Sequence, residues 1–305
     1  MIESEAGKMT LRGGLSSRNG FVRKGSAALL RVPKWFHSLN ADDAELAARP
    51  PVLANSVPKS GTHLLAQIVE GLPDRVNYGE FLSSMTSSFQ FRERTVGSIH
   101  RFINRILPGE IVRAHLFFDE RYVEELRQRN IVHYFVYRDP RDVVLSGAHY
   151  VRSMNRWHKL HRYFRDMETL DDVINLSIRG LQPAVPGVDF PDIATRYGRY
   201  CGWLDHENCM AIRFESFISE SRDAIVRSMA EFYAAHASTP IDLETCTRTM
   251  LQSIAPHKSH TFRSGEKAGW RKAFKPAHRL LFHEVAGELL IKLGYEQDTA
   301  WVDQS

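Results

Sequence analysis

Cysteine is scarce: Cys201, Cys209 and Cys246 are the three in 305 residues. An odd, scattered set excludes a disulfide scaffold and a paired-cysteine zinc ribbon, and makes a reducing compartment the default expectation. Long apolar runs are also lacking, since no stretch approaches the roughly 20 uninterrupted apolar residues that cross a bilayer. The chain is therefore expected to be soluble. Charge of one sign is only slightly in excess, +4 from 40 basic and 36 acidic residues. That suits an anionic ligand but falls short of the charge density of a nucleic-acid binder, so no nucleic-acid partner is expected. Glu3 and Glu5 stand where a secretory leader has its basic region, which makes a cytoplasmic location the expectation. No cluster of residues has metal-ligand spacing, and no metal is expected.

With 43% hydrophobic and 25% charged residues, the remainder is ordinary globular sequence, long enough for a large core. Residues 1–50 differ from the rest. Between Lys8 and Lys34 lie Lys8, Arg12, Arg18, Arg23, Lys24, Arg31 and Lys34 with no acidic residue, and Trp35 and Phe36 follow. This reads as a basic leader, flexible or peripheral, able to lie on the anionic inner face of a membrane. Residues 51–305 read as one domain. Val52 to Val57 is a strand-like run, followed by a turn and a helical spacing of Leu64, Leu65, Ile68, Val69 and Leu72. Ile111 to Phe118, Ile131 to Tyr137 and Met210 to Phe214 read as further strands. Helices are expected at Glu120 to Arg129, Arg141 to Met154, Arg222 to His236 and His278 to Leu293. Strands alternating with helices imply an α/β fold whose central parallel sheet is flanked by helices, with a P-loop-like nucleotide-binding core.

Three elements carry chemistry. Pro58-Lys59-Ser60-Gly61-Thr62 joins a strand to a helix, so its N–H groups and the helix dipole make an anion site to which Lys59 adds a full charge. Taken alone, the same residues are also a simple capped turn. The Lys precedes Ser-Gly-Thr instead of ending a Walker A run, which makes a kinase using ATP the weaker use of the site. Arg138 follows another strand, at the carboxyl edge where open α/β sheets bind ligands. Ser146 lies about two helical turns further on, so the two can converge on one phosphate. An Arg138 paired with Asp139 or Asp142 is the structural alternative. Downstream, Arg263 and Gly265 precede Gly269-Trp270-Arg271-Lys272-Ala273-Phe274. There Gly265 allows close backbone approach to a ligand.

Together, in this order, the three elements resemble the sulfotransferases that use 3′-phosphoadenosine 5′-phosphosulfate (PAPS). The resemblance implies that Lys59, Ser60, Gly61 and Thr62 bind the 5′-phosphosulfate, with Lys59 at the leaving oxygen. It implies that Arg138, Ser146, Arg263 and the Gly265 amide hold the 3′-phosphate. Val112-Arg113-Ala114-His115-Leu116 resembles the segment that carries the family's general base, which makes His115 the catalytic candidate. Four positions depart from the pattern: Leu64 where Trp is frequent, Ser264 for Lys, Arg113 for Lys, and Phe214 for a Tyr. The alternatives are a P-loop kinase, or a nucleotide-binding or membrane-recruited module without catalysis. For the acceptor, the sequence suggests an anionic glycan or glycolipid. Arg152, Arg156, Lys159, Arg162 and Arg165 recur at steps of three and four, so a helix there would carry one cationic stripe beside Trp157.

Overall fold

The strands β1 (Val52–Ser56), β2 (Phe81–Ser83), β3 (Ile111–His115), β4 (Val132–Tyr137) and β5 (Cys209–Arg213) form one sheet in the order β2-β3-β1-β4-β5. Every pairing is parallel. The computed structural model describes residues 13–15, 20–42, 44–255 and 268–303. Alternation along the strands feeds two cores. Val52 and Ala54 of β1 pack with Leu65 and Ile68 of the Thr62–Glu70 helix and with Met229 and Tyr233 of the Arg222–His236 helix. Leu53, between them, faces Phe135, Val144 of the Pro140–His149 helix and Phe282 of the Pro276–Lys292 helix. Both faces are covered, which is why the strands read as continuous apolar runs. Each such side chain contributes roughly 1.5–3 kcal/mol on burial. The expected α/β architecture is the one observed.

β1 is central, and the chain winds toward β3 and β2 on one side and toward β4 and β5 on the other. The crevice at such a reversal, outside the carboxyl ends of the strands, is where open α/β sheets take ligands. Elements too short or too amphiphilic to signal themselves were not expected. β2 is three residues at a sheet edge, with Phe81 exposed. The Val96–Ile103 helix buries only Ile99 and Ile103. The strand expected from Ile111 to Phe118 ends at His115, where the buried Asn55 takes the backbone of Leu116. Its Nδ2 donates to the Leu116 carbonyl at 3.1 Å, and its Oδ1 accepts from the Leu116 N–H at 2.8 Å.

The described part of the N-terminal segment is helical over Gly20–Leu29 and Arg31–Asn40. It docks on the domain instead of trailing from it. Leu15 and Leu30 are buried with Tyr78 and Leu107. Lys34 pairs with Glu110 at 2.7 Å and with Glu80 at 3.4 Å. Burial pushes the Glu110 carboxyl up, and the Lys34 ammonium opposes that shift. The other face of the Arg31–Asn40 helix exposes Val32, Trp35, Phe36 and Leu39. Among the described residues no helix is long and apolar enough to cross a membrane.

Candidate active site

β1 ends at Ser56, and the next turn needs two backbone conformations in the left-handed region, Lys59 at φ 72° and Gly61 at φ 104°. Gly61 is doubly required. A side chain is strained at that φ, and a Cβ would lie 2.5 Å from the Phe214 ring. Left-handed residues on either side of Ser60, ahead of the helix that starts at Thr62, make a concave set of N–H groups of the kind that holds anions. Ser60 is fully buried, and its hydroxyl has no hydrogen-bond partner among the described residues. Thr62 Oγ1 lies 2.6 Å from Ser56 Oγ, and the Lys59 ammonium sits 4.2 Å from the centre of the Tyr150 ring.

His115 is the last residue of β3, in the strand next to β1. Its Nδ1 is 2.8 Å from the Ser56 carbonyl oxygen. A carbonyl can only accept, so Nδ1 carries the proton and the lone pair belongs to Nε2. Ser56 Oγ is a further 3.3 Å contact of Nδ1, and the Phe81 ring packs edge-on at 5.1 Å. Because Asn55 holds Leu116 by both backbone groups, the strand end that carries the imidazole is fixed. Burial, and then the charges of Lys59 and Arg113, pull the His115 pKa down to about 4 against the Ser56 carbonyl, so the ring is neutral at pH 7.

The Arg138 element continues from β4. Tyr197 brackets the Arg138 peptide, its hydroxyl accepting from the amide at 3.2 Å and donating to the carbonyl at 2.7 Å. The Arg138 guanidinium lies 4.6 Å from the centre of the Phe214 ring, and its Nη2 donates to Asp142 at 3.3 Å. One aromatic side chain therefore supports both Gly61 and Arg138. At Phe214 the sequence reading registered only a missing phenol, because contact across two loops has no periodic signal. The two arginines of this element are divided in task. Arg141 is buried, paired with Asp139 at 2.7 Å and Glu296 at 2.5 Å, and lies 3.8 Å over the Trp270 ring. Arg138 instead borders the cavity.

Arg263 and Gly265 lie outside the described residues, as does Ser264. The chain after them is tied to the same place: the Ala268 and Trp270 amides donate to Asp142 at 3.1 and 2.9 Å. Burial raises the Asp142 pKa and the Arg138 charge opposes it. The spacing from Arg138 to Asp142 was visible as an i,i+4 pair, but its link to the C-terminal element was not.

A cavity of about 1130 Å³ unites these parts, with Lys59, Gly61, Thr62, His115, Arg138 and Ser146 all in its wall. Leu64 borders it beside Ile218 and Ile254, an aliphatic surface where an aromatic one is frequent. Away from the anion loop the wall is rich in aromatic and aliphatic side chains, Phe81, Phe91, Phe117, Leu160, Phe164 and Phe190, interspersed with Arg113, Asp189, Arg196 and Arg199. The expected cationic helix is not formed. The Pro140–His149 helix widens into a π-helix over Tyr150–Met154, the chain is then irregular, and a short helix follows at His161–Arg165. π-Turns of this kind recur at functional sites, and this one presents Tyr150 to Lys59.

A parallel sheet with a left-handed anion loop after its central strand, a neutral histidine on the next strand and an arginine after the third defines a P-loop-like group transferase. The chain belongs to the sulfotransferase family: the sulfotransferase domain model matches residues 49–294. No functionally curated protein matches it. Among solved structures it is similar to mouse sulfotransferase SULT7A1 complexed with PAP, at 18% identity and a TM-score of 0.52, over 79% of this chain and 84% of that one. It is similar also to retinol dehydratase in a complex with retinol and PAP, at 14% identity and a TM-score of 0.53, over 83% and 85% of the two chains. A further structure of retinol dehydratase, with androsterone and inactive cofactor PAP, matches at 14% identity and a TM-score of 0.52 over the same shares.

Proposed function

We propose that the chain transfers a sulfuryl group from PAPS to an acceptor hydroxyl, with His115 as general base and Lys59 at the leaving oxygen. The observation that carries this reading is the Nδ1 bond of His115 to the Ser56 carbonyl, which leaves Nε2 as the basic nitrogen in a cavity that also holds Lys59. In the step itself the acceptor oxygen bonds to sulfur as the bond from sulfur to the phosphate oxygen breaks. The acceptor proton goes to Nε2, and the bisphosphate leaves with the added negative charge. A pKa of about 4 makes the imidazole a weak base on its own. An anionic donor beside it would raise that value toward the range where a base works at neutral pH. Fixed N–H groups and cations suit a transferring group that carries little charge.

The donor fits the residues present. The Ser60 hydroxyl, buried without a partner among the described residues, has the chemistry to meet an anionic oxygen beside the Gly61 and Thr62 amides. Arg138 and Ser146, with Arg263 and Gly265, would take the 3′-phosphate. The test is transfer of labelled sulfate from PAPS to an acceptor panel, with adenosine 3′,5′-bisphosphate binding compared with ATP binding. Preference for ATP would overturn the donor assignment.

For the acceptor, the aromatic wall favours a molecule with an apolar body, so a glycolipid fits better than a free glycan. The N-terminal helices, with Trp35 and Phe36 exposed beside the exposed Arg31, support a peripheral contact with an anionic membrane surface where such an acceptor would reside. Residues 51–305 would then be the transfer domain and residues 1–50 the contact. Sedimentation with phosphatidylserine vesicles tests this, and a W35A/F36A variant that still sediments would overturn it.

A further inference from the structure

Four of the five recurring cations, Arg156, Lys159, Arg162 and Arg165, line a second cavity of about 670 Å³ together with Arg92 and Trp157, whose indole is 81% exposed. The break between the π-helix and the His161–Arg165 helix turns a linear series of charges into a concave one. Arg152, the fifth, turns to the Met167 carbonyl at 3.2 Å. Among the described residues no Asp or Glu lines this cavity. Of the acidic residues that follow, Asp171 pairs with Lys275 and Asp172 bonds Thr169 at the start of the next helix. Asp166 pairs with Arg165 at 3.1 Å. Lys159 donates to the Gly187 carbonyl at 2.6 Å and Arg162 to the Tyr163 hydroxyl, contacts that orient the two cations without neutralising them.

The second cavity shares the wall residue His158 with the first. Its ring packs on Phe91 at 4.8 Å and against Tyr150 at 6.5 Å, and Tyr150 in turn carries the Lys59 ammonium. We propose that this second cavity binds an anionic sugar of the acceptor, through a carboxylate or sulfate remote from the reacting hydroxyl. Guanidinium groups match such oxygens in bidentate fashion, and the Trp157 face offers a surface to a sugar ring. The proposal rests on the larger cavity being the transfer site.

The experiment titrates the full chain, saturated with adenosine 3′,5′-bisphosphate, with octyl glucuronide and with octyl glucoside, which differ by one carboxylate. At low salt the glucuronide should bind at least ~10-fold tighter, the worth of a charge-assisted hydrogen bond. The advantage should shrink as ionic strength rises. The double variant R92A/R156A should abolish the advantage while leaving glucoside and bisphosphate affinities unchanged. Equal binding of the two glycosides by the parent, no glucuronide binding, or an advantage retained in the variant would overturn the proposal. Inorganic sulfate binding as tightly as the glucuronide would assign the cavity to a free anion, and so overturn it too. Failure of the transfer reading shows separately, as absent bisphosphate binding or absent sulfate transfer.

Discussion

The two ends of the large cavity are built differently. At the end proposed for the donor the backbone is pinned at three points: Asn55 clips Leu116, Tyr197 brackets Arg138, and the Ser56 carbonyl fixes the His115 tautomer. At the end proposed for the acceptor the wall comes from Tyr150 and Val151 of a π-helix, His158 and Leu160 of an irregular stretch and Phe164 of a five-residue helix. A group whose charge changes during reaction gains most from dipoles that need not reorganise, which calls for rigid placement. An acceptor body held by apolar and charged surface needs only shape and field. The difference teaches where a substitution should act on rate and where on recognition.

The sharpest way to break that contrast is His115→Ala. Turnover should fall by roughly 10²- to 10⁴-fold, the usual worth of a general base, while adenosine 3′,5′-bisphosphate affinity stays near the parent's. Stopped assays with labelled PAPS and equilibrium titration read the two separately. Parental turnover in the variant would remove the base from β3.

Arg138→Ala comes next. Loss of a charge-assisted contact costs about 1.5–3 kcal/mol, so bisphosphate binding should weaken by roughly 10- to 150-fold. Adenosine 5′-phosphosulfate, which lacks the 3′-phosphate, should change little. Equal losses for both nucleotides would make Arg138 a structural partner of Asp142 and Phe214 alone. The Asp142 contact at 3.3 Å gives that alternative a real basis, so the comparison of nucleotides decides it.

The same division governs what could be read in advance. β1, β3, β4 and β5 and the helices Thr62–Glu70, Glu120–Gln128, Pro140–His149, Arg222–His236 and Pro276–Lys292 announce themselves through buried apolar runs and period, and the anion loop through its position after a strand. The Lys59 to Thr62 turn was legible as a local pattern, and His115 only through the resemblance of its segment to the family's. Phe214 under Arg138, Tyr150 under Lys59 and Asp142 on the Trp270 amide were not, because each joins segments distant in the chain. At the acceptor end, the steps of three and four among the cations suggested a helix. The chain kept the convergence of charge but reached it by a break, since packing of Val151, Leu160 and Phe164 into one apolar cluster overrides local periodicity.

A smaller effect concerns acid. His115 and His158 are held at about 4 and His133 at about 3, each chiefly by burial. The unfolded chain takes up these protons from about pH 6.5 downward, the folded chain only near pH 3–4, so their contribution to stability is complete above pH 6.5 and is lost as pH falls through that window. The raised carboxyls of Glu110, Asp142 and Glu215 act in the opposite sense, so the parent's own curve mixes both. His133→Gln isolates one histidine far from the chemistry, packed edge-on against Trp203 at 4.5 Å. Its Tm deficit relative to the parent, measured at pH 7, should narrow by pH 5. A constant deficit would show that His133 titrates normally.

The smallest expected effect lies where the two ends meet, at Tyr150. Its ring faces the Lys59 ammonium, and its hydroxyl accepts from Asn155 Nδ2 at 3.0 Å, so one side chain holds a donor-end cation and the first irregular turn of the acceptor end. Tyr150→Phe removes only the second link; Tyr150→Leu removes both. A cation–π contact at a partly open site is worth about 0.5–1 kcal/mol, so the Leu variant should lose roughly 2- to 5-fold in kcat beyond the Phe variant. The Phe variant should act mainly on acceptor KM, because the Asn155 turn precedes His158 in the cavity wall. If the two variants share one kcat, the ring does not position Lys59, and Tyr150 belongs to recognition alone. If the Phe variant lowers kcat as far as the Leu variant while KM stays put, the boundary between a rigid donor end and an adaptable acceptor end runs through the hydroxyl, on the far side of Tyr150.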